Sequence, residues 1–388
     1  MDYTMHFKRY LPLELPANQS SFLWGARKTG KSTFLKEKFP DALHIDLLQA
    51  DVYQGYLRHP EKLREELNAF ENPLTVVVDE VQKVPALLDE IHGLIESKKN
   101  LRFILCGSSA RKLKQTGANL LGGRAWRHMF LPLCYPEIKE LNWEHIFNRG
   151  LIPSHYTSPF TEKNLASYLY DYVLTEVHLE ANLRKRDTFS KFLDALGFCH
   201  GSILNYSNIA RDCGVNSRTV MSYFEILEDM YLGYFLRPYR SRERRQTVQE
   251  APKFYLFDTG LANYLKRYTF TEMRGADAGA SFEHYIFLEL MAYKLLVEKR
   301  EEITYWRTKE GHEVDFIFQD KAFEVKISTP IEKRDLKGLL VFGQQHDMSL
   351  NVISLEKRKR LMIVDGKEIT IWPVQEFLQS LWSHTLWI

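Results

Sequence analysis

No stretch of this chain approaches the roughly 18 consecutive apolar residues that a membrane-crossing helix needs, so no helical span is expected. Cysteine is scarce, with four in 388 residues (Cys106, Cys134, Cys199 and Cys213) and no C-x-x-C pair. That excludes a disulfide framework and a zinc ribbon, and points to a reducing compartment. Neither sign of charge dominates. A net +2 argues neither for nor against an acidic partner, and only local patches can carry that argument. The opening residues Met1-Asp2-Tyr3-Thr4-Met5-His6 lack an apolar signal core, so a cytoplasmic protein is expected. Low-complexity segments and repeats are lacking too.

What is present is an ordinary globular composition, 45% apolar over a length that suits two or three domains. Gly25-Ala26-Arg27-Lys28-Thr29-Gly30-Lys31-Ser32 fits G-x-x-x-x-G-K-[ST], a loop whose backbone N–H groups curl around phosphate. Its context agrees. Residues 20–24 read as a buried strand, and a helix starts at Thr33, so the helix dipole adds to the phosphate site. Lys31 would reach the β- and γ-phosphates, and Ser32 would ligate Mg²⁺. Residues 25–33, with Ser108 and Ser109, form the expected ATP site.

Hydrolysis needs an acid-bearing strand beside that loop. Residues 75–78 are apolar and β-branched, as a buried parallel strand requires, and end in Asp79 and Glu80. Asp79 would hold Mg²⁺ and Glu80 would polarise the attacking water. Residues 101–106 form another strand, followed by Gly107-Ser108-Ser109, which suits either a γ-phosphate sensor or a helix cap. Residues 43–47 add a further strand. Arg124 follows a glycine pair and reads either as an arginine finger, in cis or in trans, or as a surface residue. Alternating strands and helices imply a parallel sheet covered on both faces.

Beyond residue 137 the alternation stops. Residues 165–174 have helical spacing. Residues 206–220 read as helix, a turn at Gly214, and a second helix capped by Ser217. In DNA-binding versions of that arrangement the start of the second helix reaches bases, which nominates Asn216, Ser217 and Arg218, with Ser222 beyond them. The basic stretch that follows, with Arg240, Arg242, Arg244 and Arg245, would grip phosphates as a wing, or form a solvated surface.

Near the C-terminus, strands are expected at 303–308, 314–318 and 322–327. Alternation places Glu324 and Lys326 on one face, with Asp315 able to reach it from the neighbouring strand. Asp315 followed by Glu324-x-Lys326 resembles the PD-(D/E)-x-K nuclease core, where two carboxylates hold a divalent metal and the lysine orients water or stabilises charge. A degenerate fold used for binding or assembly is the other reading.

Four segments together are similar to the prokaryotic AAA-type ATPases that carry a C-terminal DUF4143 domain. They are residues 24–32, Asp79-Glu80-Val81-Gln82-Lys83-Val84-Pro85, Cys106-Gly107-Ser108-Ser109-Ala110 and Gly122-Gly123-Arg124. The resemblance spans nearly the whole chain. It implies Walker A, Walker B and sensor-1 motifs, and strengthens the roles of Ser108, Ser109 and Arg124. Lys28 and Thr29 replace the Arg and Val of many relatives. The resemblance further implies an acid on the helix before the nuclease-like strands, a place that Glu283 fills, with Glu313 beside the site.

The expected architecture is therefore α/β. A P-loop NTPase parallel sheet (1–140) precedes a helical and winged-helix region (141–255) and an α/β nuclease-like domain (256–388). Lys31, Glu80 and Arg124 would serve ATP hydrolysis. Asp315, Glu324 and Lys326 would serve the second site, with metal held by Ser32 and Asp79 in the first and by Glu283, Asp315 and Glu324 in the second. The expected function is ATP hydrolysis acting on DNA by remodelling, translocation or processing, in a homo-oligomer. The alternative is a nucleotide-switched module whose C-terminal domains bind protein.

Overall fold

The computed structural model describes residues 6–16, 19–70, 74–97, 101–111, 113, 121–138, 140–177, 186–240 and 251–387. The chain is α/β. Its first sheet contains β1 (Ser20–Trp24), β2 (Leu43–Asp46), β3 (Leu74–Asp79), β4 (Leu101–Gly107) and β5 (Ala125–Met129). All pairs are parallel, in the order β2-β3-β4-β1-β5. Side-chain alternation sorts the strands into two apolar faces. Phe22, Val76 and Phe103 pack with Leu63, Leu87 and Ile91. These come from α3 (Lys62–Asn68) and α4 (Leu87–Ser97), which follow α1 (Lys31–Lys38) and α2 (Ala50–Arg58). Leu23, Val77 and Ile104 join the opposite core, which runs on to Phe282, Tyr285 and Leu290 of the C-terminal half.

The middle of the chain is helical: α5 (Trp143–Arg149), α6 (Pro153–Tyr156), α7 (Thr161–Ser167), α8 (Arg186–Cys199), α9 (Tyr206–Cys213) and α10 (Ser217–Asp229). The helix expected over 165–174 differs in kind, because α7 passes into a π-helical segment, Tyr168–Val177. Such turns are rare and frequent at functional sites. The cap of α10 also differs. Asn216, not Ser217, accepts from the Thr219 amide at 2.8 Å.

The second sheet has eight strands, adding β6 (Gly233–Pro238), β7 (Lys253–Leu256), β8 (Thr304–Arg307), β9 (Glu313–Phe318), β10 (Lys321–Lys326), β11 (Ser349–Ser354), β12 (Arg360–Val364) and β13 (Lys367–Pro373). Its order is β12-β13-β11-β10-β9-β8-β6-β7, with parallel and antiparallel pairs mixed. β6 lies parallel to β8, pairing Arg237 with Thr304, so the hairpin after α10 and the C-terminal strands share one sheet. A domain boundary drawn between 255 and 256 falls inside β7. The remaining helices are α11 (Thr259–Lys266), α12 (Gly275–Leu296), α13 (Lys337–Gln345) and α14 (Val374–Trp382). Among the described residues no helix is long and apolar enough to cross a membrane, and all four cysteines are free thiols.

Candidate functional site

The loop after β1, the end of β3 and the end of β4 meet at the C-terminal edge of the first sheet. Ligands of open α/β sheets bind at that edge. The loop is held tightly. Gly25 N–H donates to Gly107 O at 3.3 Å, and a Cβ at Gly25 would lie 2.0 Å from the Phe130 carbonyl oxygen, so only glycine fits. Lys31 is buried, its ammonium donating to Gly25 O at 2.8 Å and Ala26 O at 2.9 Å. Thr29 is buried with its hydroxyl on Ala26 O, while Lys28, Ser32 and Thr33 are exposed. Ser32 donates a short hydrogen bond to Asp79 Oδ2. That hydroxyl and carboxylate, side by side at the start of α1, are hard oxygen donors suited to Mg²⁺.

Glu80 is set by an unusual backbone, φ 58° and ψ 42°, a left-handed conformation that a non-glycine residue adopts at a cost of order 1–3 kcal/mol. Its buried carboxylate accepts from Ser108 Oγ at 3.0 Å and from Gln82 Nε2 at 2.5 Å. Gln82 also donates to Ser108 at 3.2 Å. A Cβ on Gly107 would stand 2.5 Å from Gln82 Oε1, so that glycine makes the room for this triad. Ser109 instead accepts from the Arg111 amide at 3.2 Å, a cap of the next turn. Beneath the site lies Cys106. Burial, with the negative Asp79 beside it, pushes its thiol well up, while Lys31 acts in the opposite sense. Lys31, Asp79, Glu80 and Ser108 are thus brought together.

Arg124 is not. It precedes β5, where Ala125 pairs with Ser20 and Met129 with Trp24. The P-loop follows Trp24, so Arg124, one residue before the partner of Ser20, stands at the other end of the sheet, about 20 Å from Gly25 along the strands at ~3.3 Å per residue. There it bonds Glu96 and the Gly122 carbonyl.

Two features had no sequence motif. Arg9 clamps the loop from outside, donating to Thr29 O and Leu131 O at 2.6 Å each and to Glu137 Oε1 at 3.0 Å, with its guanidinium 4.1 Å over the Phe130 ring. The loop is also built into the middle body. Ala26 belongs to the core of Tyr168, Phe192 and Leu227. Tyr168 of the π-helical segment donates to Arg27 O at 3.3 Å, and the Arg27 guanidinium lies 5.0 Å over Tyr172. Further along, Arg111 pairs with Asp229 of α10 at 3.2 Å, and Trp24 stacks on Tyr231.

At this point the comparisons with known proteins apply. Residues 17–139 match the AAA domain family, residues 140–272 a domain of unknown function, DUF8612, and residues 278–377 another, DUF4143. The chain is a P-loop AAA ATPase with a DUF4143 domain. The Walker-type ATPase PABY2304 of Pyrococcus abyssi is similar in solved structure at 14% identity and a TM-score of 0.42, over 63% of this chain and 90% of that one. No curated protein sequence matches it.

In the C-terminal half of this ATPase the expected acids gather on one face of β9 and β10. Val325 N–H donates to Asp315 Oδ2 at 2.8 Å, and Lys326 Nζ to Glu324 Oε1 at 2.5 Å. Burial and the neighbouring negative charges hold the Asp315 and Glu324 carboxyls above their usual range. Glu283 on α12 accepts from Tyr255 Oη at 2.5 Å. A lysine that no motif marks, Lys253 of β7, stands 2.5 Å from Glu313 Oε1 and 3.6 Å from Glu283 Oε1. A cavity of about 430 Å³ opens beside it, lined in part by Lys266, Arg307 and Glu313. Among the described residues no three His, Cys, Asp or Glu side chains are grouped so as to hold a metal ion. The expected ligands Glu283, Asp315 and Glu324 are neighbours but do not form such a group.

Of the nucleic-acid candidates, Asn216 is engaged as a cap, Ser217 is half-buried, and Arg218 and Arg240 are exposed. Arg242, Arg244 and Arg245 lie outside the described residues.

Proposed function

We propose that this ATPase uses its nucleotide cycle to change how its helical middle body and C-terminal sheet hold DNA. The observation that carries this reading is the packing of the P-loop into the middle body, through Ala26, Arg27, Tyr168 and Tyr172. Bound ATP with Mg²⁺ supplies a phosphoanhydride whose charge is neutralised for attack by water. Ser32 and Asp79 would hold the metal. Glu80, aimed by Gln82 and Ser108, orients the water and accepts its proton. Lys31 exchanges its two loop carbonyls for phosphate oxygens. Because those carbonyls belong to Gly25 and Ala26, that exchange acts on the segment packed against the π-helical turn.

The helix pair around Gly214, with Arg218 and Arg240 exposed, supports DNA as what the body holds, since phosphate neutralisation dominates nucleic-acid affinity. ATP hydrolysis measured with duplex, single-stranded and branched DNA tests the reading. Stimulation that falls as salt rises is expected. Equal rates with every DNA form, and no binding at low salt, would overturn it. A protein partner is favoured by one observation: the outer face of α10 sets Met221, 44% exposed, and Glu225 beside Arg218. A stable protein complex that survives Arg218→Glu would support that second reading.

The position of Arg124 supports a finger supplied in trans within a homo-oligomer. Mixing Arg124→Ala with Lys31→Ala chains should restore ATPase activity that neither has alone. Two inactive chains that stay inactive when mixed, while still assembling, would refute a role in trans.

A further inference from the structure

The geometry points to Lys253 as the resident cation of the C-terminal carboxylate cluster: its ammonium fills the place between Glu283 and Glu313, so the cluster is neutralised from within and takes up no divalent metal until that lysine is removed. The inference concerns the cluster alone and is independent of whether the body holds DNA.

The side chain is 5% exposed and anchored along its length. Its backbone lies in β7, where Lys253 pairs with Leu236 and bridges to Ile203. Its ammonium sits 5.4 Å over the Tyr305 ring, 2.5 Å from Glu313 Oε1 and 3.6 Å from Glu283 Oε1. A buried ammonium persists only where carboxylates surround it. Although burial pulls its pKa down, the charges of Glu283, Asp315 and Glu313 hold it above the ordinary lysine value. Several of the cluster's oxygens have further donors. Lys326 takes Glu324 Oε1, the Val325 amide takes Asp315 Oδ2, Tyr255 shares Glu283 Oε1, and Arg307 takes Glu313 Oε2 at 3.1 Å. Lys253, Lys326 and Arg307 offset all but one of the four carboxyls Glu283, Glu313, Asp315 and Glu324. A dication entering this space would meet the ammonium of Lys253 at contact range, a repulsion that low dielectric strengthens.

One atom marks what the site lacks. Glu324 Oε2 is buried without a hydrogen-bond partner, in a residue 7% exposed. With Lys253 gone, that oxygen, Asp315 and Glu283 would be left with Lys326 as the cation beside Glu324 and a surplus of carboxylate oxygens, the oxygen-rich setting that Mg²⁺ and Mn²⁺ prefer.

The test is titration of the full chain, free of nucleotide, with Mn²⁺ alone, reading unbound Mn²⁺ by electron paramagnetic resonance. Wild type and Glu324→Gln should bind Mn²⁺ identically. Lys253→Met should gain one Mn²⁺ per chain at concentrations at least tenfold below any at which wild type differs from Glu324→Gln, and lose it again in Lys253→Met/Glu324→Gln. A wild-type Mn²⁺ that disappears in Glu324→Gln would overturn the inference, because the cluster would then hold metal with Lys253 in place. A folded Lys253→Met chain that gains nothing would overturn it too. Should Lys253→Met not fold, the comparison of wild type with Glu324→Gln still decides, and Lys253→Arg, which keeps the positive charge, must stay as metal-free as wild type.

Discussion

Replacing Arg9 by alanine should loosen the nucleotide site without touching any P-loop residue. The guanidinium is 10% exposed and its partner Glu137 only 2%, so this is a buried pair. Removing one member of such a pair costs about 3–5 kcal/mol, because the other charge stays buried. Glu137 keeps two backbone donors, Tyr10 N–H at 2.7 Å and Cys134 N–H at 3.2 Å. They place the loss at the lower end, about 3 kcal/mol of unfolding free energy. The loop itself loses one charge-assisted bond, to Thr29 O. At about 1.5 kcal/mol for such a bond, the KM for ATP should rise about tenfold. The assays are urea unfolding of wild type, Arg9→Ala, Glu137→Gln and the double variant, and ATPase kinetics on the same set. Arg9→Lys should recover little, since an ammonium cannot fork to Thr29, Leu131 and Glu137 together. A coupling energy between positions 9 and 137 below ~0.5 kcal/mol, with KM unchanged, would refute the reasoning, because contacting residues in one network couple by about 0.5–3 kcal/mol.

Glu80→Gln should keep nucleotide affinity within about threefold while lowering turnover by about 10²-fold or more, as loss of a general base does; fluorescent-nucleotide binding beside phosphate release separates the two. Glu289 is raised by burial from the usual 4.5 to about 7, against the hydrogen bonds from Trp382 and the Tyr135 amide. A raised carboxyl stabilises the fold below its unfolded pKa, and that stability is lost as pH rises to the folded value. Stability should therefore fall by up to about 3 kcal/mol between pH ~4.5 and ~7, and Glu289→Gln should flatten that slope in urea midpoints taken across the window. Asn216→Ala should cost about 1 kcal/mol by removing the cap of α10, and Asn216→Asp only a fraction of that, read from thermal melts.

How much of this was legible in the chain follows from how far apart the interacting residues lie. The P-loop and the acids at 79 and 80 could be read because each motif is contiguous and its strand shows as an apolar β-branched run. Ser108 was nominated for the same reason, but Gln82, which ties it to Glu80, was not, since nothing in a run of residues 79–85 says that its amide will fold back over a left-handed Glu80. Arg9 lies in a segment without periodicity and acts on partners at 29, 131 and 137. Both Asn216 and Ser217 are good caps, and composition cannot choose between neighbours. Helical spacing over 165–174 cannot tell an α-turn from a π-turn, because the buried Tyr168, Leu169, Tyr172 and Val173 recur four residues apart, a spacing that both turns accommodate.

Arg124 shows the limit most clearly. Its motif named a residue type, whereas its role depends on which end of a parallel sheet it occupies, and that is a property of strand register. The same holds for Lys253. β7 is an edge strand, where a lysine reads as solvent-facing until β7 is paired with β6, β6 with β8 and β8 with β9, the strand that carries Glu313 to its ammonium. Motifs report the groups that chemistry requires in sequence; the counter-ions that decide whether those groups are free to use it come from distant strands. The Asp315, Glu324 and Lys326 signature is therefore compatible with a metal-dependent site or a self-neutralised one, and the contact from Lys253 is what separates them.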